Sequence, residues 1–238
     1  LALLAGGELT RVLSHYFVGL FPHRAGSEHA VHDPLFVLGR VGSFGAVGCF
    51  SLHPLKTLSA CGDGGALATD DEAFCERLGL LRNLGMCGRD RCAVWSGHSR
   101  LDSIQAAILL VKMKYLDEWT ERRRANAAFY QEALGSVPGL RVPVERPHER
   151  AVYHTFVVQA ERRDELQRHL AERGVGTAVH YPIPIHLQEA ARGLGYPRGS
   201  FPVAERQAGQ ILSLPVYPEL TREDLHHVVG ATRSFYEQ

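Results

Sequence analysis

A lone lysine, Lys56, stands in a segment whose composition could support amine chemistry. A predicted strand ends near Ser51, and Pro54 restricts the backbone of the loop that follows it. The surroundings of Lys56 are apolar, which favours the neutral amine that can attack a carbonyl carbon to form a Schiff base. On local composition alone, a solvated surface lysine is the competing interpretation.

A second group of reactive side chains lies in a predicted loop over residues 86–100. Cys87, Cys92 and His98 offer three soft ligands, whereas a structural zinc site usually has four, often with two-residue cysteine spacing. The alternative is free loop cysteines. The chain has five cysteines, an odd number that is untypical of a disulfide-stapled secreted domain, so we predict a reducing, cytoplasmic location.

Hydrophobic spacing and turn residues predict the elements that position these side chains. Short buried strands flank Lys56, and Asp70 or Asp71 could cap the helix that follows the second strand. The predicted strands are Leu35–Leu38, Ala46–Leu52, Gly65–Thr69, Tyr153–Gln159 and Thr177–His180. Four shorter helices are predicted. The first runs from the capping Asp to about Leu84, and the others cover Arg163–Arg173, Ala204–Ile211 and Glu223–Tyr236.

One long helix is predicted over residues 101–134, which contain neither Gly nor Pro. Its apolar positions form a stripe that includes Ile104, Val111 and Tyr115. The run Arg122-Arg123-Arg124 is interpreted as a solvated face of this helix, next to Glu118 and Glu121.

Composition limits the domain organisation and the class of partner. The 238 residues carry 26 Lys+Arg and 26 Asp+Glu, so the balanced charge predicts no nucleic-acid partner. No apolar run reaches the ~18 residues of a spanning helix, so we expect no membrane segment. A strand-rich half, a connecting helix and a compact α/β half predict two domains, at 1–120 and 121–238, with 1–34 unassigned.

Four motifs in order resemble the DegT/DnrJ/EryC1/StrS family of pyridoxal-phosphate-dependent sugar aminotransferases. They are Phe50-Ser51-x-x-Pro54-x-Lys56, Gly62-Asp63-Gly64-Gly65, Ser99-Arg100-Leu101-Asp102-x-x-Gln105-Ala106-Ala107 and His180-Tyr181-Pro182-x-Pro184-x-His186. The resemblance implies an α/β, aspartate-aminotransferase-like fold (fold type I), with part of the large cofactor-binding domain and a whole C-terminal small domain. It also implies an enzyme that transfers an amino group from glutamate or glutamine to a keto sugar of a nucleoside-diphosphate sugar.

The resemblance also implies roles for individual residues. Lys56 matches the lysine that bonds pyridoxal phosphate and then moves a proton, whereas members with His at that position are dehydratases. Ser51 matches a residue that binds the cofactor phosphate. His98 stands where the family usually has Asn, which reaches the phosphate of the neighbouring subunit, so a homodimer is implied. His180, Tyr181 and His186 match the segment near the sugar-nucleotide pocket, for which a packed Pro-rich turn is the alternative.

One expected cofactor residue has no match in the sequence. The family places an Asp at the ring nitrogen, and here only Glu28 or Asp33, in a shifted register, could take that place. These features predict an N-terminally truncated or frame-disrupted member, or part of a longer chain, with an unsupported strand edge and poor solubility. The alternative function is a catalytically impaired protein that self-associates or regulates a partner. Within the enzyme class, cyclitols or other cyclic ketones are alternative acceptors.

Overall fold

The first sheet holds the segment of residues 52–64, called the lysine segment because it carries Lys56, between two of its strands. A computed structural model describes residues 2–4, 42, 45–147 and 149–237. Within them, β1 covers Ala2–Leu4, β2 covers Gly48–Ser51 and β3 covers Gly65–Ala68, in the order β1-β3-β2. β2 and β3 are antiparallel, with Ser51 opposite Gly65, and β1 runs parallel to β3. The two predicted strands that flank Lys56 are therefore confirmed, with shorter bounds, whereas Leu35–Leu38 lies outside the described residues.

The chain divides into two compact units, Leu1–Thr120 and Glu121–Gln238. In the first, the helix α1 (Glu72–Leu81) begins at Asp71, whose side chain accepts the N–H group of Phe74 at 2.9 Å, so the predicted cap is confirmed. The small core of this unit includes Phe50 and Ala66 from β2 and β3, together with Leu58 from the lysine segment. The segment that bears Lys56 is thus anchored in the unit's core.

The prediction of one helix over residues 101–134 is wrong. α2 covers Ser103–Met113 and α3 covers Leu116–Leu134. Between them, the N–H groups of Lys114 and Tyr115 bond to carbonyls three residues back, at 3.2 and 3.0 Å. Such i→i−3 bonds tighten the last turn of a helix, and no Gly or Pro signals this break in the sequence.

The predicted apolar stripe faces the core only in part. Its member Leu116 is buried, whereas Ile104 and Val111 are 69% and 55% exposed. Trp95, in the loop before α2, is 97% exposed. The first unit therefore presents large apolar side chains on its surface, which is typical of an interaction surface.

The second unit is a three-stranded antiparallel sheet with helices. β4 (Leu140–Arg141), β5 (Phe156–Ala160) and β6 (Ile211–Leu214) follow one another in space. The helices are α4 (Arg163–Glu172), α5 (Pro202–Gln210) and α6 (Arg222–Tyr236), with two short 3₁₀ helices at Ile185–Leu187 and Glu189–Leu194. A capping box between Thr221 and Asp224 begins α6. The predicted helices are confirmed with shifted ends, whereas β4, β6 and the 3₁₀ helices were not predicted.

One further prediction about this unit is wrong, and the predicted solvated face at Arg122-Arg123-Arg124 holds only for Arg122, which is exposed. The expected strand at 177–180 is a single bridge between Ala178 and Ser213, because the chain then enters a proline-rich segment that cannot donate a full ladder of hydrogen bonds. Arg124 is also not a solvated side chain. It is partly buried and donates to Oε1 of Glu145 and the carbonyl of Ala151, at 2.8 and 2.6 Å. These bonds join α3 to the segment before β5.

Candidate functional site

Backbone hydrogen bonds join the start of the segment that carries Lys56 to its later residues, so that the segment forms a closed loop. The N–H group of Leu52 donates to the carbonyl of Gly64 at 2.9 Å, and the carbonyl of Leu52 accepts from Ala60 at 2.8 Å. Lys56 lies midway along this closed segment, and its own N–H group donates to the carbonyl of His53 at 2.8 Å. Leu58 and Ala60 are buried, which fixes one side of the segment in the core.

Ser51 lies at the start of the same segment. Alternation along β2 buries Phe50 and exposes Ser51 on the opposite face. The Oγ atom of Ser51 accepts the N–H group of His53 at 3.4 Å, and Nδ1 of His53 accepts from Leu55 at 3.2 Å. Short local bonds therefore fold Ser51 and Lys56 into one turn, with the hydroxyl exposed and the lysine partly buried.

His98 lies in the first unit at the end of the loop before α2. Residues 82–84 run antiparallel to residues 97–99, with a bridge between Asn83 and His98. Ser99 donates its N–H group to Arg82 at 2.9 Å, and Leu84 donates to Gly97 at 3.1 Å. The His98 side chain is exposed. Within the described residues, no hydrogen bond connects it to Ser51 or Lys56.

The other three predicted residues lie in the second unit. Nδ1 of His180 is 2.8 Å from Oγ of Ser213 on β6, and its ring contacts that of Tyr181 edge-on. Tyr181 is 74% exposed. His180 is thus fixed to the sheet, while Tyr181 presents its ring to solvent.

His186 has a different environment. Its side chain is only 8% exposed, and its Nε2 atom lies 2.9 Å from Oε1 of Glu205. The ring also packs edge-on against Phe201. The hydrogen bond from His186, rather than the opposing effect of burial, keeps the pKa of Glu205 below its ordinary value. The structure therefore ties His186 to Glu205, a partner that no motif in the sequence indicated.

The zinc hypothesis finds no support in the described part of the chain. No group of three or more His, Cys, Asp or Glu residues there could hold a metal ion. The Sγ atom of Cys87 accepts from Nε of Arg91 at 3.0 Å, and that of Cys92 donates to backbone carbonyls. All five cysteines are free thiols.

A cleft of about 590 Å³ opens on the second unit, lined by residues such as Arg141, Gln159 and Arg206. None of the predicted site residues lines it. No helix in the described ranges has the length and apolar character needed to cross a bilayer.

The residues around Lys56 fit two ends of pyridoxal phosphate. A partly buried amine suits the aldehyde carbon, and an exposed hydroxyl at the end of a strand suits the phosphate. The two candidates for the ring-nitrogen carboxylate, Glu28 and Asp33, lie outside the described residues, so the structure describes the lysine and hydroxyl part of the site.

Comparisons with known proteins agree with the motifs. An erythromycin biosynthesis sensory transduction protein, EryC1, from Saccharopolyspora erythraea is 47% identical over 195 residues, which cover 82% of this chain and 53% of that protein. A dTDP-3-amino-3,4,6-trideoxy-alpha-D-glucose transaminase from Streptomyces venezuelae is 44% identical over 84% of this chain and 52% of its own length. The chain therefore spans about half the length of these curated relatives.

Solved structures extend the likeness to the fold. The crystal structure of DesV from S. venezuelae, in complex with a ketimine intermediate, matches with a TM-score of 0.80 and 44% identity, over 84% of this chain and 54% of that chain. The predicted α/β, aspartate-aminotransferase-like fold, present in part, is confirmed. Residues 29–233 match the DegT/DnrJ/EryC1/StrS aminotransferase family. The chain belongs to this family of sugar aminotransferases.

Proposed function

We propose that this chain takes part in pyridoxal-phosphate-dependent transfer of an amino group to a keto sugar of a nucleoside-diphosphate sugar, with glutamate or glutamine as donor. The observation that carries the proposal is the position of Lys56, partly buried midway along a closed segment that begins at the Ser51 hydroxyl. The sugar-transaminase relative of S. venezuelae supports the substrate class. We further propose that residues 1–120 correspond to part of the large domain and residues 121–238 to the small domain.

When bound, pyridoxal phosphate supplies an aldehyde carbon that an amine attacks with loss of one water, and a ring that withdraws electrons from the substrate carbon. Lys56 supplies that amine, and its neutral form accepts and returns the proton at the substrate carbon. The Ser51 hydroxyl donates a hydrogen bond to the phosphate. Both roles require the turn between the two residues, which the bond from the His53 N–H group to Ser51 Oγ supports.

Residues of the second unit would bind the sugar-nucleotide substrate. We propose that His180 and Tyr181 contact it directly, because His180 is anchored through Ser213 and Tyr181 is exposed. His186 contributes by holding the neighbouring segment through Glu205. His98, exposed in the first unit, is proposed to reach the cofactor phosphate of a second copy in a homodimer. A cytoplasmic location remains a prediction.

The test uses the purified full chain and pyridoxal phosphate. We expect a visible absorbance band that Lys56→Ala abolishes and that bleaches when glutamate or glutamine is added. Lys114→Ala is the matched control, because Lys114 is an exposed lysine of the same unit. A band of equal strength in the Lys56→Ala variant, or no band in the unmodified chain, would contradict the proposal.

A second candidate is a catalytically impaired protein that self-associates or regulates a partner. The exposed apolar side chains of the first unit favour it, since Trp95 is 97% and Ile104 is 69% exposed. The relative EryC1 also carries the name of a sensory transduction protein. Sedimentation and the visible band of the unmodified chain together separate the two candidates, because an associating protein without enzyme activity would form oligomers but show no Lys56-dependent band with pyridoxal phosphate.

A further inference from the structure

Two polar side chains of α2 contact the segment just after Lys56. Nζ of Lys112 donates to the carbonyl of Ser59 at 2.7 Å and lies 3.1 Å from its Oγ atom. Oε1 of Gln105 accepts the N–H group of Cys61 at 2.8 Å. Gln105 and Lys112 are seven positions apart, which is about two helical turns, so both project from one face of the helix. α2 thus contacts the lysine segment at two residues, Ser59 and Cys61.

The hydrogen bonds of Lys112 join a charged ammonium group to the neutral carbonyl and hydroxyl of Ser59. The Lys112 side chain is partly buried, and within the described residues no carboxylate forms an ion pair with it. Placing an ammonium group there has a desolvation penalty, which the bonds to Ser59 offset. The charge of Lys112 is therefore directed at the backbone of the lysine segment.

Gln105 adds a steric constraint to its hydrogen bond. A Cβ atom at Gly62 would lie 3.2 Å from Nε2 of Gln105, so the glutamine side chain packs closely over the glycine backbone. Leu58 and Ala60 of the same segment are 1% and 2% exposed and belong to the core of this unit. The backbone that follows Lys56 is thus fixed both by core packing and by hydrogen bonds to α2.

We propose that Lys112 and Gln105 are positioning residues that fix the backbone of Ser59–Cys61 and so the direction of the Lys56 amine. The proposal rests on the proposed function in that Lys56 is taken as the reacting amine. Neither Lys112 nor Gln105 is proposed to touch the cofactor or the substrate. Each acts through the segment that carries Lys56.

Hydrogen exchange on the purified full chain tests the positioning directly. Lys112→Met is expected to raise the exchange rate of the amides in residues 56–61 by about tenfold, since one charge-assisted hydrogen bond is lost. Lys112→Arg should restore protection, because a guanidinium group can make the same bonds. Lys114→Met, two residues further along the chain and exposed, is the matched control.

A second readout follows the amine itself. Trinitrobenzenesulfonate, a small electrophile, labels lysine amines, and mass spectrometry gives the labelling rate of Lys56 with no cofactor present. Lys112→Met and Gln105→Met should each change this rate, and should lower the rate at which the visible band forms with pyridoxal phosphate by about tenfold. Circular dichroism checks that each variant is folded.

The outcomes separate the two proposals. Exchange and labelling in Lys112→Met that equal those of Lys114→Met would overturn the positioning role. A changed labelling rate with no visible band in any variant would overturn the proposed function and keep the positioning role. A band that forms at the same rate in Lys112→Met and Lys112→Arg would also overturn the positioning role.

Discussion

Oε1 of Glu205 lies 2.9 Å from Nε2 of His186 and also accepts the backbone N–H group of Gly199 at 2.7 Å. The same oxygen accepts a longer bond from Phe201, at 3.4 Å. One carboxylate oxygen therefore joins the residues before α5 to a histidine that the sequence placed near the substrate. The pairing gives this histidine a structural partner, and its contact with substrate stays a prediction.

The first prediction concerns the pH dependence of this connection. The His186 hydrogen bond is the main reason that the pKa of Glu205 lies below its ordinary value of 4.5. A carboxyl with a lowered pKa contributes stability that is fully present above its unfolded-state pKa and is lost as the pH falls through the folded-state pKa. We expect Glu205→Gln to flatten the acid side of the unfolding profile below about pH 5, where a carboxyl with the ordinary pKa begins to take up its proton.

Thermal unfolding across that range is the measurement. Glu172→Gln, at an exposed position near the end of α4, is the matched control. Parallel profiles for Glu205→Gln and the unmodified chain would show that the carboxylate contributes no pH-dependent stability.

The second prediction concerns cofactor binding by Ser51. Ser51→Ala is expected to weaken the binding of pyridoxal phosphate about tenfold, because one hydrogen bond to a charged phosphate is lost. Stability should change little, since Ser51 is exposed. Titration of the visible band gives the affinity, with Cys49→Ala on the same exposed face of β2 as the control. Equal weakening by both substitutions would count against a phosphate contact.

The third prediction concerns Tyr130 in the core of the second unit. Its side chain is fully buried, and its hydroxyl has no hydrogen-bond partner among the residues that the structure describes. Burial raises the pKa of this hydroxyl, and an unpaired buried hydroxyl is unfavourable by about 1–3 kcal/mol. Tyr130→Phe should leave the free energy of unfolding unchanged or raise it by about 1 kcal/mol, as urea unfolding would show.

Tyr130→Ala is the contrasting variant, with an expected loss of about 3–5 kcal/mol from the cavity. The ring of Tyr130 contacts that of Phe156, with centroids 5.1 Å apart. A clear loss of stability in Tyr130→Phe would mean that the hydroxyl has a partner after all.

The fourth prediction concerns Gly85, in the loop that ends at His98. Its φ is +69°, and a Cβ atom there would lie 1.6 Å from the carbonyl oxygen of Val94. Gly85→Ala should therefore lower the free energy of unfolding by more than about 2 kcal/mol, measured by urea unfolding. Gly97→Ala, in the same loop with open space around it, is the matched control. Similar losses for both would refute the steric argument.

The sequence predicted the fold well where hydrophobic alternation and turn residues agree. The strands on both sides of Lys56 could be read because Phe50 and Ala66 alternate with less buried neighbours, and Asp71 carries an obvious capping side chain. The break between α2 and α3 could not be predicted, because it depends on two i→i−3 backbone bonds that carry no sequence signal.

The site shows the same contrast. Ser51 and Lys56 are five residues apart, so a local turn is enough to bring them together. The pairs His186–Glu205 and His180–Ser213 join residues 19 and 33 positions apart, and the bond from Cys61 to Gln105 spans 44. Such pairs depend on how helices and strands pack, which periodicity within one element does not encode.

The exposure of Trp95 makes association observable without a label. The chain has only two tryptophans, and the other, Trp119, stacks against Tyr115 with ring centroids 5.9 Å apart. An indole in water emits fluorescence at longer wavelength than one in an apolar contact. If a second copy covers the first unit, emission from Trp95 will move to shorter wavelength as the protein concentration rises. A single Trp95→Phe substitution would then remove the part of the spectrum that responds to concentration.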